Sequence, residues 1–197
     1  MYQHESVKLP LAFLEEVHKL WSRVDKEVYE GVFDFHVVPA ARNAEKLAKL
    51  KSANIELVVV AAYLHDIGYI GKGHMNHEIR SAKLARKILQ KHGYSQQFIS
   101  RVEKCIVRHS TSQKCEQWTI EDEILRNADA MAHFQCLPYI IAFSVKEGRT
   151  LREAISWLST KLHNDWQLKL TMPEARTLVE PCYKAAQELF RSMHRYL

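Results

Sequence analysis

The chain has 197 residues, 47% hydrophobic and 26% charged, which suits one globular domain with a full core or at most two small ones. A formal net charge of +5 favours anionic ligands only mildly, and with no Lys/Arg block of five or more the composition does not indicate a nucleic-acid groove. Six glycines and five prolines are too few for an all-β chain of tight turns.

Leu11, Leu14, Val17, Leu20, Trp21, Val24 and Val28 recur at helical spacing and predict an amphipathic helix from Leu9 to Glu30, ended by Gly31. A second helix is predicted from Asp34, read as its N-cap, past Pro39 to about Lys51, with His36 at its start. Asn54 caps a third, with Glu56 in the first turn. From Leu57 to Leu64 this helix is apolar on every side, and such a helix is buried on all faces. It ends in His65-Asp66, then Gly68 and a loop rich in Gly and His. A buried carboxylate is costly unless paired or bound to a metal, so the rest of the chain is organised around this point.

Asn76 is the predicted cap of a helix to about His92, whose outer face carries Arg80, Lys83, Arg86 and Lys87. Ser95 opens the next, through Phe98, Val102, Ile106 and His109, and residues 110–118 read as a polar loop. Thr119 with Asp122 reads as a capping box for a helix through Ile124, Leu125, Ala128, Asp129 and Met131. Pro138 breaks or kinks the next helix, Tyr139 to Lys146. Thr150 with Glu153, and Thr171 with Glu174, cap the last two helices, the final one reaching about Arg195. No strand pattern, repeat or linker interrupts this reading, and the predicted class is all-α, a single domain over residues 1–197.

Several of these helices offer one His or Asp near an end: His36, His65 with Asp66, His77, His109 and Asp129. Imidazole and carboxylate suit divalent transition metals, and helical bundles draw such ligands from several helices. Neighbouring helical residues point about 100° apart, so His65 and Asp66 can share an ion only at a helix end packed between others. His4, His133 and His163 read as ordinary, and Cys105 and Cys136 as buried and inert. The four cysteines, these two with Cys115 and Cys182, form no C-x-x-C pair. With no apolar signal segment and no run of membrane-span length, a cytoplasmic location is expected.

The ordered set of His36 in F-D-F-H-V-V, His65-Asp66 in L-H-D-I-G and Asp129 in N-A-D-A-M-A resembles the HD superfamily of metal-dependent phosphohydrolases, over roughly residues 30–135. H-M-N-H-E-I-R-S-A and I-V-R-H-S are similar to the subgroup with two further histidines, here His77 and His109. The segment H-N-D-W-Q-L-K-L-T-M-P-E-A-R is similar to the tail of small members. The resemblance implies a helical bundle of the HD type with residues 136–197 packed on the motif core. It implies one divalent ion (Mn, Fe, Co or Mg) on His36, His65, Asp66 and Asp129, with His77 and His109 serving a second ion or the phosphate. Asp66 is expected to orient or deprotonate water, and Lys72, Arg80 and Arg108, chosen by proximity in sequence, to neutralise phosphate. The expected substrate is a small phosphorylated anion, a nucleotide or another phosphate ester, with no membrane partner; a homo-oligomer is compatible.

Two departures set specific activities aside. Ile67-Gly68-Tyr69-Ile70 stands where some phosphohydrolases carry a glutamate, and H-D-I-G is followed by Tyr69 rather than lysine, with no G-Y-P. The same six ligands also match di-iron oxygenases on this scaffold, and a nucleotide-binding module without turnover is the third reading.

Overall fold

The computed structural model describes residues 7–22, 31–69, 75–110 and 117–193, and no strand occurs among them. Helix α1 (Leu11–Ser22) starts on the carbonyl of Pro10, which accepts the N–H groups of Phe13 and Leu14, and buries Phe13, Val17 and Trp21. Its predicted continuation through Val24 and Val28 lies outside the described residues. Gly31, at φ +90°, accepts the Phe35 N–H at 2.7 Å.

Phe33–Val37 then forms a π turn, in which the Val38 N–H reaches back five residues to the Phe33 carbonyl, and α2 (Val38–Lys51) continues from it with Pro39 in its first turn. Asp34 is therefore not an N-cap. It lies inside the wide turn, whose preceding residue Val32 is already helical and makes no capping bond. Proline has no N–H to donate and crowds the carbonyl four residues back; a wider turn just ahead of Pro39 relieves that demand.

Helix α2 ends on Ser52 in the left-handed region (φ 52°), the Ala53 N–H closes on the Ala48 carbonyl at 3.0 Å, and the Asn54 side chain accepts the Leu57 N–H at 3.0 Å to open α3 (Ile55–Leu64). Every residue from Leu57 to Leu64 is fully buried. Three successive valines cost a helix a few tenths of a kcal/mol each, whereas burying each apolar side chain contributes about 1.5–3 kcal/mol. Burial decides, and α3 is helical because α2 and two later helices enclose it.

A 3₁₀ turn (Ile67–Tyr69) leads to α4 (His77–Lys91), α5 (Gln96–Arg108), α6 (Ile120–Gln135), α7 (Leu137–Lys146) and α8 (Leu151–Asn164). A second π turn, Asp165–Lys169, precedes α9 (Pro173–Met193). The caps predicted at Ser95, Thr119 and Thr150 form, the last two as full capping boxes. Two others do not. Asn76 sits in the left-handed region at φ 54° with no side-chain cap. Thr171 instead accepts from Asn127 at 3.0 Å, and Glu174 pairs with Lys51 at 2.6 Å. Asn127, buried on α6, takes over the start of α9 by accepting the Met172 N–H at 3.0 Å. Pro138 does break the chain, separating α6 from α7 at Cys136.

Helix α3 packs against α2, α5 and α6, and α4 lies along α5. Helix α9 rests on α6 and α8, so that Leu158, Leu170, Met172 and Val179 join the same apolar cluster as Val58 and Leu125. The C-terminal end of α3 thus opens between α2, α4, α5 and α6.

Candidate metal centre

The end of α3 carries His65 and Asp66 into the interior. Fully buried, His65 turns Nδ1 to the Ala62 carbonyl at 2.7 Å, and His109 at the end of α5 does the same to the Ile106 carbonyl at 2.6 Å. A carbonyl only accepts, so each Nδ1 bears hydrogen, and each ring, once Nε2 gives up its proton, presents a lone pair there. His36, delivered by the first π turn, brings its Nε2 to 3.2 Å from that of His65; His77, at the start of α4, brings its Nε2 to 3.4 Å from that of His109.

Asp66 lies between the two pairs. Its Oδ2 is 3.4 Å from His36 Nε2 and 3.3 Å from His65 Nε2, while its Oδ1 is 3.2 Å from His77 Nε2 and 3.6 Å from His109 Nε2. Asp129 Oδ1 faces the first pair, 3.3 Å from His36 and 3.6 Å from His65, and its Oδ2 is held by the buried Lys169 ammonium. All six predicted ligands therefore converge, grouped so that His36, His65 and Asp66, and separately Asp66, His77 and His109, bring ligand atoms within 4.8 Å of one another. Asp66 Oδ1 is buried without a properly formed hydrogen bond, and ring nitrogens face one another. A donor set of this kind fits divalent cations.

The close approach of α4 depends on Gly68. A Cβ there would fall 2.4 Å from Ser81 N, 2.6 Å from the His77 carbonyl oxygen and 2.8 Å from the Arg80 carbonyl carbon. The Gly68 N–H donates to Ser81 Oγ at 2.9 Å, and Arg80 Nε donates to the Gly68 carbonyl at 2.9 Å.

Charge is balanced within the cluster. Burial works against a charged His36, but Asp129 and Asp66 outweigh it and hold its pKa well above the usual range. The same contest, burial against Asp66 and Asp129, leaves His65 at about 9. Burial also opposes ionised carboxylates, yet His65 beside Asp66, and Lys169 and His133 beside Asp129, hold both far below their ordinary values. His109 is lowered, first by burial. In the protein without an ion, protons on His36 and His65 occupy the place a dication would take, so proton and metal compete.

Above the cluster lies a cavity of about 350 Å³, within the range of small-ligand sites. Its lining includes the polar Asp66, Asp129, His133, Lys161 and Lys169 and the aromatic Tyr69, Tyr139, Phe143 and Trp157. Two of the predicted phosphate-binding residues are not there. Arg80 donates to the Gly68 and Met75 carbonyls. Arg108 pairs with Asp122 at 2.6 Å and reaches the Gln117 carbonyl at 3.3 Å. Proximity in sequence says nothing about direction, and Arg108 sits about 100° around the helix from His109. Lys72 lies outside the described residues.

Three residues of the site escape the sequence pattern. His133 reads as ordinary there, though it lies four positions after Asp129, the spacing that puts both on one helix face. Its Nε2 is 3.4 Å from Asp129 Oδ1, its ring lies parallel to His36 with centroids 4.9 Å apart, and its Nδ1 is 2.9 Å from Asp165 Oδ2. Burial, then Lys161, lowers its pKa to about 4. Asp165 and Lys169 sit at the two ends of the second π turn, which no helical periodicity announces. His163 is exposed, as expected of an ordinary histidine.

The family model of the HD domain matches residues 33–133. Among solved structures, the chain is similar to a structural-genomics protein from Lactobacillus plantarum, with 16% identity, a TM-score of 0.75, and 96% of this chain and 98% of that one covered. It is similar to Bacillus subtilis YpgQ in complex with ADP, at 18% identity and a TM-score of 0.69, covering 94% and 97%. A third is a predicted HD superfamily hydrolase from an uncultured Thermotogales bacterium, at 19% identity and a TM-score of 0.61, covering 94% and 91%. No curated protein matches the sequence. No helix among the described residues is long and apolar enough to cross a membrane.

Proposed function

The chain belongs to the HD-domain family, and on that premise we propose that it is a metal-dependent phosphohydrolase acting in the cytoplasm on a nucleotide or another phosphate ester. The observation that carries the reading is Asp66, whose two oxygens face separate histidine pairs on the wall of a cavity that Lys161 also lines. The ADP bound to the Bacillus subtilis relative supports a nucleotide.

In this reading His36, His65, Asp66 and Asp129 hold one ion, and Asp66 with His77 and His109 holds a second. A bound divalent ion supplies Lewis acidity toward a phosphoryl oxygen and acidifies a coordinated water. With only the first ion bound, Asp66 Oδ1 would be free to orient the attacking water and accept its proton. Lys161, its Nζ 3.2 Å from Asp165 Oδ2, is the cation offered to the phosphate. Tyr139, Phe143 and Trp157 form the apolar wall for the rest of the substrate.

The test is phosphate and pyrophosphate release from a panel of nucleotides and phosphate monoesters. Chelated protein is resupplied with manganese, cobalt, iron or magnesium, beside Asp66→Ala. Metal-dependent release, lost in Asp66→Ala, is the expected result; no release under any metal, despite stoichiometric binding, sinks the proposal. One feature favours a second reading, a di-iron oxygenase: a carboxylate set between two histidine pairs is also suited to bridging two irons. A mixed-valent di-iron signal by paramagnetic resonance separates that case.

A further inference from the structure

His133 lies one helical turn beyond Asp129, on the same face of α6. Its Nδ1 is 2.9 Å from Asp165 Oδ2; an ionised carboxylate only accepts, so Nδ1 carries hydrogen and the neutral ring keeps its lone pair on Nε2. That lone pair faces Asp129 Oδ1 at 3.4 Å, and His36 Nε2 faces the same oxygen at 3.3 Å. Between His133 and Asp129 this sets acceptor opposite acceptor in a buried place, which is unfavourable unless a cation lies between them. Two ligand bonds of about 2.1 Å meeting at about 90–110° hold their atoms about 3.0–3.4 Å apart, and both spacings fall within that range. The ligand atoms of His36, Asp129 and His133 all lie within 4.8 Å of one another. With its other oxygen held by Lys169, Asp129 offers Oδ1 alone.

We propose that His133 is a further ligand of the ion assigned above to His36 and Asp129, with Asp165 as the carboxylate that orients it. The inference rests on that metal assignment. Asp165 also accepts from Lys161 at 3.2 Å, so a chain of Lys161, Asp165 and His133 joins the C-terminal segment to the ion. The centre then depends on a residue outside the matched span 33–133.

The test is titration of chelated protein with Co²⁺, monitored by its visible absorption. It compares wild type, His133→Ala, His133→Asn, Asp165→Asn and, as a surface control, His163→Ala, each checked for helicity by circular dichroism. Both His133 variants are expected to weaken binding and shift the cobalt bands. Asp165→Asn keeps the bands and loses about 10–100-fold in affinity, as outer-shell partners do; His163→Ala changes neither. Wild-type affinity and bands in a folded His133 variant overturn this inference alone. A wild-type protein that binds no Co²⁺ overturns the metal assignment beneath it as well.

Discussion

Replacing Gly68 by alanine should damage the fold and the site together, and unequally across the site. The added methyl meets backbone atoms of α4 at 2.4–2.8 Å, none of which can turn aside as a flexible side chain would. Overpacking of this kind costs about 1–3 kcal/mol. Separating Gly68 from α4 also lengthens two hydrogen bonds, to Ser81 Oγ and from Arg80 Nε, worth about 0.5–1.5 kcal/mol each. The total loss is about 2–6 kcal/mol, read as a lowered urea midpoint at unchanged slope. Because His77 opens α4 and α5 packs along it, the displacement falls on His77 and His109, while His36, His65 and Asp129 hang from α2, α3 and α6. Metal titration should therefore show the Asp66–His77–His109 group weakened more than the other. A variant within about 0.5 kcal/mol of wild type, binding metal at both groups as before, refutes the reasoning.

In chelated protein His65 is raised from 6.5 to about 9, so its contribution to folding is complete below pH 6.5 and disappears as pH rises through about 9. The urea midpoint should fall across that window, and metal loading, which displaces the proton, should flatten the fall. Lys169→Met strands a buried carboxylate oxygen of Asp129 and should cost the metal-free protein about 3–5 kcal/mol; a loss under about 1 kcal/mol, against that range, removes the argument. Arg108→Gln leaves Asp122, 1% exposed, without its ion-pair partner, the Thr119 N–H of the capping box remaining on its carboxylate. Unfolding should register that loss while kcat with the responsive substrate stays unchanged, and a large fall in kcat would return Arg108 to the site.

The features legible in the sequence and those hidden from it divide along physical lines. The run Leu57–Leu64 announces a buried helix because burial outweighs valine's poor helical propensity, and His65-Asp66 at its end announces a site. Thr119 with Asp122 and Thr150 with Glu153 act within four residues, and both are legible. Thr171 with Glu174 has the same pattern, but Asn127 and Lys51, distant in sequence, claim its groups. Arg80 and Arg108 point elsewhere because direction around a helix decides what a cation meets. His133 is within reach through its spacing from Asp129. Asp165 and Lys169 are not, since only tertiary packing brings their turn to α6.

The two π turns give the centre a dependence on length as well as on chemistry. Each holds one residue more than an α-helical turn would. Deleting a single position between Phe33 and Val37 would let the backbone close as ordinary helix, with Val38–Lys51 intact. His36, drawn from the wide turn into ordinary helical geometry, would nevertheless be re-aimed relative to α2. The same excision between Asp165 and Lys169 would swing Asp165 and Lys169 out of phase with α6. Insertions and deletions are usually tolerated in loops and ruinous in helices; here two helical frames carry an extra residue on which the site's alignment depends.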